Sequence, residues 1–178
     1  LVLMEPPVLP LFVSTPPRPA ELFRLLLRSP AAAMAVVRFG ATAFAPAQRA
    51  FRRGDDKAAI RAFGCGVLGK KHFEALSEAR MQQVWENRGA DRAQILGAGF
   101  PPLRDDEVAS VRAPVLLLVG AESPPLMRRL ADRLHELVPH CDRIEIVKAS
   151  HIMHEDNPDM VNRSVLGFLA RHAQTVKP

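Results

Sequence analysis

Five consecutive aliphatic residues, Val115-Leu116-Leu117-Leu118-Val119, limit what this chain can fold into more than any other segment. A strand with one wet face alternates apolar and polar residues, and this run does not alternate. It therefore suits a parallel strand, Pro114–Val119, covered on both faces. A helix from Pro124 to about Val138 follows, with Met127, Leu130, Leu134 and Leu137 on one stripe. Ser123 is placed as its N-cap and Pro124 in its first turn. A second β-type run covers Arg143–Lys148, and Asn157-Pro158 then opens a last helix whose buried face is Val161, Val165, Phe168 and Leu169. Strand, helix, strand, helix in this order predicts an α/β fold of parallel strands joined by right-handed crossovers. A shorter run at Leu1–Met4 adds a third strand.

The stretch 14–103 is of another kind. It holds helical patterns at Ala20–Arg28, Ala31–Phe44, Asp56–Phe63, Lys71–Glu86 and Asp91–Leu96, broken by Pro30, Gly54, Gly64, Gly66, Gly69 and Gly89, and no β-type run. A helical insertion between two strands of one sheet predicts a cap lying over the strand ends, with Phe100-Pro101-Pro102 returning the chain to the sheet. The expected division is a core of residues 1–13 and 104–178 and an all-helical cap of residues 14–103.

Composition excludes several functions. Of 178 residues, 48% are apolar and 24% charged, a soluble globular balance. The net charge of +5 is spread among interspersed acids, and the densest basic spots, Arg52-Arg53 and Lys70-Lys71, are short. With no tyrosine and one tryptophan, no nucleic-acid surface is expected. The longest apolar tract, Ala31 to Ala47, carries Arg38 and falls short of a membrane span. Leu1–Met4 is too short, and Glu5-Pro6-Pro7 too early, for a signal peptide. Two distant cysteines, Cys65 and Cys141, fit a reduced cytoplasmic protein without a membrane partner.

Each strand ends in a polar group: Glu5 after the first, Glu122 and Ser123 after the second, His151 after the third. Parallel strands bring their carboxyl ends to one edge, where open α/β sheets place reactive groups. A histidine there is a natural general base, and a carboxylate that fixes its tautomer supplies two thirds of a nucleophilic triad. Plainer roles exist for each: Glu5 as a solvated turn residue, Glu122 as a helix-dipole partner, Ser123 as a cap, His151 as a loop histidine. His151 and His154 form an H-x-x-H pattern beside Glu155 and Asp156, but outside a helix and without a partner set. No metal and no cofactor are expected; His154, Glu155 and Asp156 are read as ordering the loop and the helix start. Gly64-Cys65-Gly66 follows a helical run instead of a strand, so it is a poor nucleophile turn.

The stretch "PVLLLVGAESPP", a helix, "RIEIVKASHIMHEDNP" and a last helix resembles the carboxyl-terminal part of an α/β hydrolase, and "LVLMEPPVLPL" resembles that fold's sixth strand. The resemblance implies strands six to eight of the fold, a partial hydrolase architecture with a helical cap, and His151 as the catalytic histidine. The family often holds an aspartate after the seventh strand, where this chain has Ser123. The acid is then Glu122 or Glu5, with Glu5 preferred because strand six is an accepted alternative. The family's G-x-S-x-G nucleophile elbow is absent from these 178 residues, and so is its oxyanion hole. The expectation is a fragment of a hydrolase acting on an ester-like or related small-molecule bond, inactive alone. Phe39, Phe44, Phe63 and Phe73 are the candidates for an acyl or alkyl pocket. Two rivals are a non-catalytic small-molecule binding module and an aspartate-nucleophile epoxide or haloalkane hydrolase. Leu1–Met4, stripped of its neighbour, is expected to offer an open edge for homodimerisation.

Overall fold

Three parallel strands, β1 (Val2–Met4), β2 (Val115–Gly120) and β3 (Cys141–Ile146), form one sheet in the order β1-β2-β3 in a computed structural model that describes residues 1–173. The register pairs Met4 with Leu118 and Gly120 with Ile146. The chain divides into two units, residues 1–11 with 103–178 and residues 12–102.

Residues 12–102 are helical: α1 (Pro19–Arg28), α2 (Pro30–Phe39), α3 (Ala45–Arg52), α4 (Asp56–Leu68), α5 (Lys70–Glu74), α6 (Glu78–Glu86) and α7 (Arg88–Leu96). A π-helical segment, Gly40–Phe44, joins α2 to α3. Helix α3 was not anticipated, because Pro46 reads as a stop; it lies in the first turn, where its missing N–H is harmless. The expected 71–86 helix splits, since the Ser77 hydroxyl accepts from Arg80 N at 3.2 Å and caps a new start. Asp55 caps α4 in the same way, through Ala58 N at 3.0 Å.

Gly64 and Gly66 do not interrupt the helix, contrary to expectation; both lie inside α4. A Cβ on Gly64 would stand 2.3 Å from the Phe73 ring, and one on Gly66 2.2 Å from Cβ of Ala43. They are there so that neighbouring segments can come close. Gly89 likewise falls within α7. Ala43, Ala47, Ala50 and Ala59 are buried in the same unit, as is Phe51.

Residues 103–173 add α8 (Asp105–Ala109), α9 (Pro125–Leu137), α10 (Met153–Asp156) and α11 (Pro158–Ala173). Every residue of β2 is buried. Val115, Leu117 and Val119 pack with Leu11, Val108, Ala131, Leu134 and Val138, while Leu116 and Leu118 pack with Ile146, Met153, Val161 and Phe168. The unbroken aliphatic run thus serves two cores, one on each face of the sheet. Burying each such side chain contributes about 1.5–3 kcal/mol.

Three local expectations are corrected. Ser123 is not the cap of α9: Pro124 holds that position, and the Ser123 side chain is buried without a hydrogen-bond partner. Leu169 is 48% exposed, off the buried face marked by Val161 and Phe168. The third strand lies two residues earlier than expected and ends at Ile146; Lys148 adopts φ 56° and turns the chain away from the sheet. Asn157 does cap α11, its Oδ1 accepting from Met160 N at 3.2 Å. Among the described residues no helix is long and apolar enough to cross a membrane.

Candidate functional site

The three strand ends converge on one carboxylate. The ladder continues one residue past β1, where Glu5 N–H donates to the Leu118 carbonyl at 3.2 Å. Glu5 itself takes φ 40°, a left-handed conformation that costs a residue with a Cβ about 1–3 kcal/mol. The chain then leaves the sheet through Pro6-Pro7, and the Glu5 side chain is fully buried. A solvated turn glutamate is thereby excluded.

A buried carboxylate needs donors. Oε1 of Glu5 accepts from the backbone N–H of Gly120, the last residue of β2, at 2.8 Å. Oε2 lies 2.8 Å from Nδ1 of His151, on the loop after β3. An ionised carboxylate at Nδ1 favours the tautomer in which that nitrogen carries the proton and donates it. Nε2 is left with a lone pair, the tautomer a general base requires. The His151 side chain is 25% exposed, so the ring is held at one end and accessible elsewhere.

Gly120 has a second duty. A Cβ there would stand 2.4 Å from the Ser150 carbonyl oxygen, 2.6 Å from Ser123 Oγ and 2.7 Å from the Ala149 carbonyl oxygen. Only glycine lets the 149–150 backbone lie this close to the end of β2. Glu122 N–H donates to the Ala149 carbonyl at 2.8 Å and ties the two loops together. Beyond them, Ser150 N–H and Oγ–H both donate to Asp156 Oδ2, at 2.7 and 2.6 Å.

Of the sequence-derived candidates, the structure brings Glu5 and His151 together. Glu122 is exposed and contributes its backbone to the loop contact. His154 is exposed too, its Nε2 3.5 Å from Glu155 Oε1. Cys65 sits within α4, where burial pushes its thiol pKa up and away from the reactive thiolate. The four phenylalanines belong to the packing of the helical unit: Phe39 meets Phe63 edge-to-face at 6.2 Å, Phe73 is buried against Gly64, and Phe44 is half-buried. Phe73 also lines a groove of about 420 Å³ with Leu76, Met81 and Trp85. The Gly120 N–H was not foreseen, and Asp156, read as ordering the loop, does so through a partner the sequence did not name, Ser150. Their signals in sequence are faint: a glycine closing an aliphatic strand, and an aspartate six residues after a serine.

Comparison with known proteins gives a consistent picture. Residues 1–164 match the alpha/beta hydrolase family. Carboxylesterase YbfK of Bacillus subtilis (strain 168) is 39% identical over 74 residues, which is 40% of this chain and 25% of that protein. The structure of MenH from S. aureus superposes with a TM-score of 0.56 at 17% identity, covering 79% of this chain and 54% of that one. The chain therefore spans about a quarter of the carboxylesterase and about half of MenH.

Proposed function

The chain belongs to the alpha/beta hydrolase family, and from that premise we propose that it carries the base and the acid of a nucleophile–histidine–acid hydrolase acting on an ester-like bond. The observation that carries this reading is the buried Glu5 carboxylate 2.8 Å from Nδ1 of the partly exposed His151. The likeness to a carboxylesterase supports the ester-like substrate class.

In this mechanism a serine in a G-x-S-x-G setting, which these 178 residues do not contain, attacks the substrate carbonyl. Nε2 of His151 takes the hydroxyl proton as the bond to carbon forms. The imidazolium is stabilised by Glu5 and returns the proton to the leaving alcohol as the carbon–oxygen bond breaks. Water, deprotonated by the same nitrogen, then releases the acid and restores the serine. Glu5 stays ionised throughout, because its work is to orient and to neutralise. In this proposal the helical unit of residues 12–102 corresponds to the cap of the family.

The deciding experiment reads the coding DNA upstream of Leu1 and expresses the longer product. An in-frame G-x-S-x-G after an apolar strand, with turnover of p-nitrophenyl esters that falls at least about 10³-fold in His151→Ala, is the expected result. A longer product with the serine and undiminished turnover in His151→Ala would overturn the reading. So would a stop codon directly upstream, which favours a binding module.

A further inference from the structure

We propose that Asp156 is a positioning residue for His151, acting through Ser150; the inference rests on reading His151 as the base. Ser150 is fully buried, and both its donors, N–H and Oγ–H, converge on a single oxygen, Oδ2 of Asp156, at 2.7 and 2.6 Å. On the other side of His151, Ile152 N–H donates to Ser150 Oγ at 3.4 Å. The Ile152 carbonyl in turn accepts from the N–H groups of Glu155 and Asp156, at 2.8 and 3.2 Å. The residues before and after His151 are thus closed into one ring of hydrogen bonds with Asp156 as its anchor.

The ring of His151 is bonded to Glu5 through Nδ1, and its aim depends on where the backbone carries it. That backbone is fixed on one flank by contact of the Ser150 carbonyl with Gly120, and on the other by Asp156. Paired donors on one charged oxygen are strong and directional. Releasing them lets the loop move by more than the 2.8 Å bond to Glu5 tolerates. In this proposal the effect of Asp156 reaches the imidazole through Ser150. A purely structural role, stabilising α10, would lower melting temperature and leave the Glu5–His151 bond as it is.

The test is proton and nitrogen NMR of the full chain with labelled histidine, following the Nδ1 proton of His151 at fixed pH. The wild type shows this proton at low field, and Glu5→Gln moves it upfield. Asp156→Ala broadens it and speeds its exchange with water about tenfold or more. Asp156→Asn, which keeps one acceptor oxygen at the same place, recovers part of the protection, and Ser150→Ala, which deletes one of the two donors, loses part of it. A wild-type signal retained in Asp156→Ala, with Glu5→Gln still moving it, overturns the proposal and leaves the base–acid reading standing. A wild-type signal indifferent to Glu5→Gln overturns that reading and this inference with it. If Asp156→Ala does not fold, the Asn and Ser150→Ala variants decide the matter: unchanged protection in both overturns the proposal.

Discussion

Glu5 Oε2 lies 2.8 Å from His151 Nδ1 across 146 positions of sequence, and the same carboxylate holds the N–H of Gly120 with its other oxygen. Glu5 therefore joins all three strand ends. Replacing it by glutamine keeps the shape and an acceptor for Gly120, but removes the charge that stabilises an imidazolium. Should the upstream sequence supply the serine, Glu5→Gln in that product is expected to lower kcat about 10³- to 10⁴-fold with little change in KM. Ester turnover under saturating substrate measures this, and a loss below tenfold would put the acid elsewhere.

Two glycines with opposite surroundings give a paired prediction on stability. Gly120→Ala drives a methyl group against two carbonyl oxygens and a hydroxyl at 2.4–2.7 Å, none of them the tip of a long flexible chain. It is expected to cost about 2 kcal/mol or more. Gly40 has helical φ −56° and nothing within 4 Å of a Cβ, so Gly40→Ala is expected to stabilise by about 0.5–1 kcal/mol. Urea denaturation of the two variants checks both signs at once.

The sheet was legible because its information is local. The run 115–119 can be accommodated only between two apolar layers, and strand ends follow from strands, so Glu5 and His151 could be placed at one edge before any coordinates. What escaped depends on backbone geometry that residue type does not report. Glu5 and Lys148 take positive φ without being glycine, and the second of these ends β3 two residues before its β-type pattern does. Gly64 and Gly66 look like breakers in a linear string, yet each is small for the sake of a residue far away, Phe73 or Ala43. Ser123 shows the converse failure: serine before two prolines fits a cap, but the chain needs its small side chain over Gly120. Local pattern finds elements; close approach between elements has to be seen.

Acid should weaken the start of α1. The Glu21 carboxylate accepts from Ser14 N at 3.0 Å, Ser14 Oγ at 2.7 Å and Arg18 N at 3.0 Å. These bonds, the one from Arg18 N–H foremost, hold its pKa below the ordinary 4.5. A carboxyl lowered on folding adds stability that is complete above 4.5 and lost as pH falls through the folded value. Glu21→Gln, which cannot ionise, is therefore expected to melt below wild type at pH 7. The gap should close on acidification below the ordinary carboxylate range. Melting curves across that range check it, and a gap independent of pH would assign the effect to shape instead of charge.

The free side of β1 carries the last prediction. The Leu1 carbonyl accepts from Leu116 N at 2.8 Å and Glu5 N–H donates to the Leu118 carbonyl at 3.2 Å, so the odd-numbered residues bond inward to β2. By strand alternation Val2 and Met4 turn their N–H and C=O groups to the other side, where the described residues supply no neighbouring strand. Leu1 and Met4, 57% and 43% exposed, add apolar surface to that edge. Such an edge pairs with another copy unless it is blocked. The 178-residue chain is expected to associate with rising concentration, running above its monomer mass of 19.6 kDa in light scattering after size exclusion. Met4→Pro removes an outward N–H while leaving both inward bonds in place, and proline is tolerated on an edge strand in that orientation. It should shift the population towards monomer without loss of helical signal. A wild-type chain that stays monomeric at about 100 μM, a concentration at which exposed edges and apolar patches associate, would count against this edge as an interface.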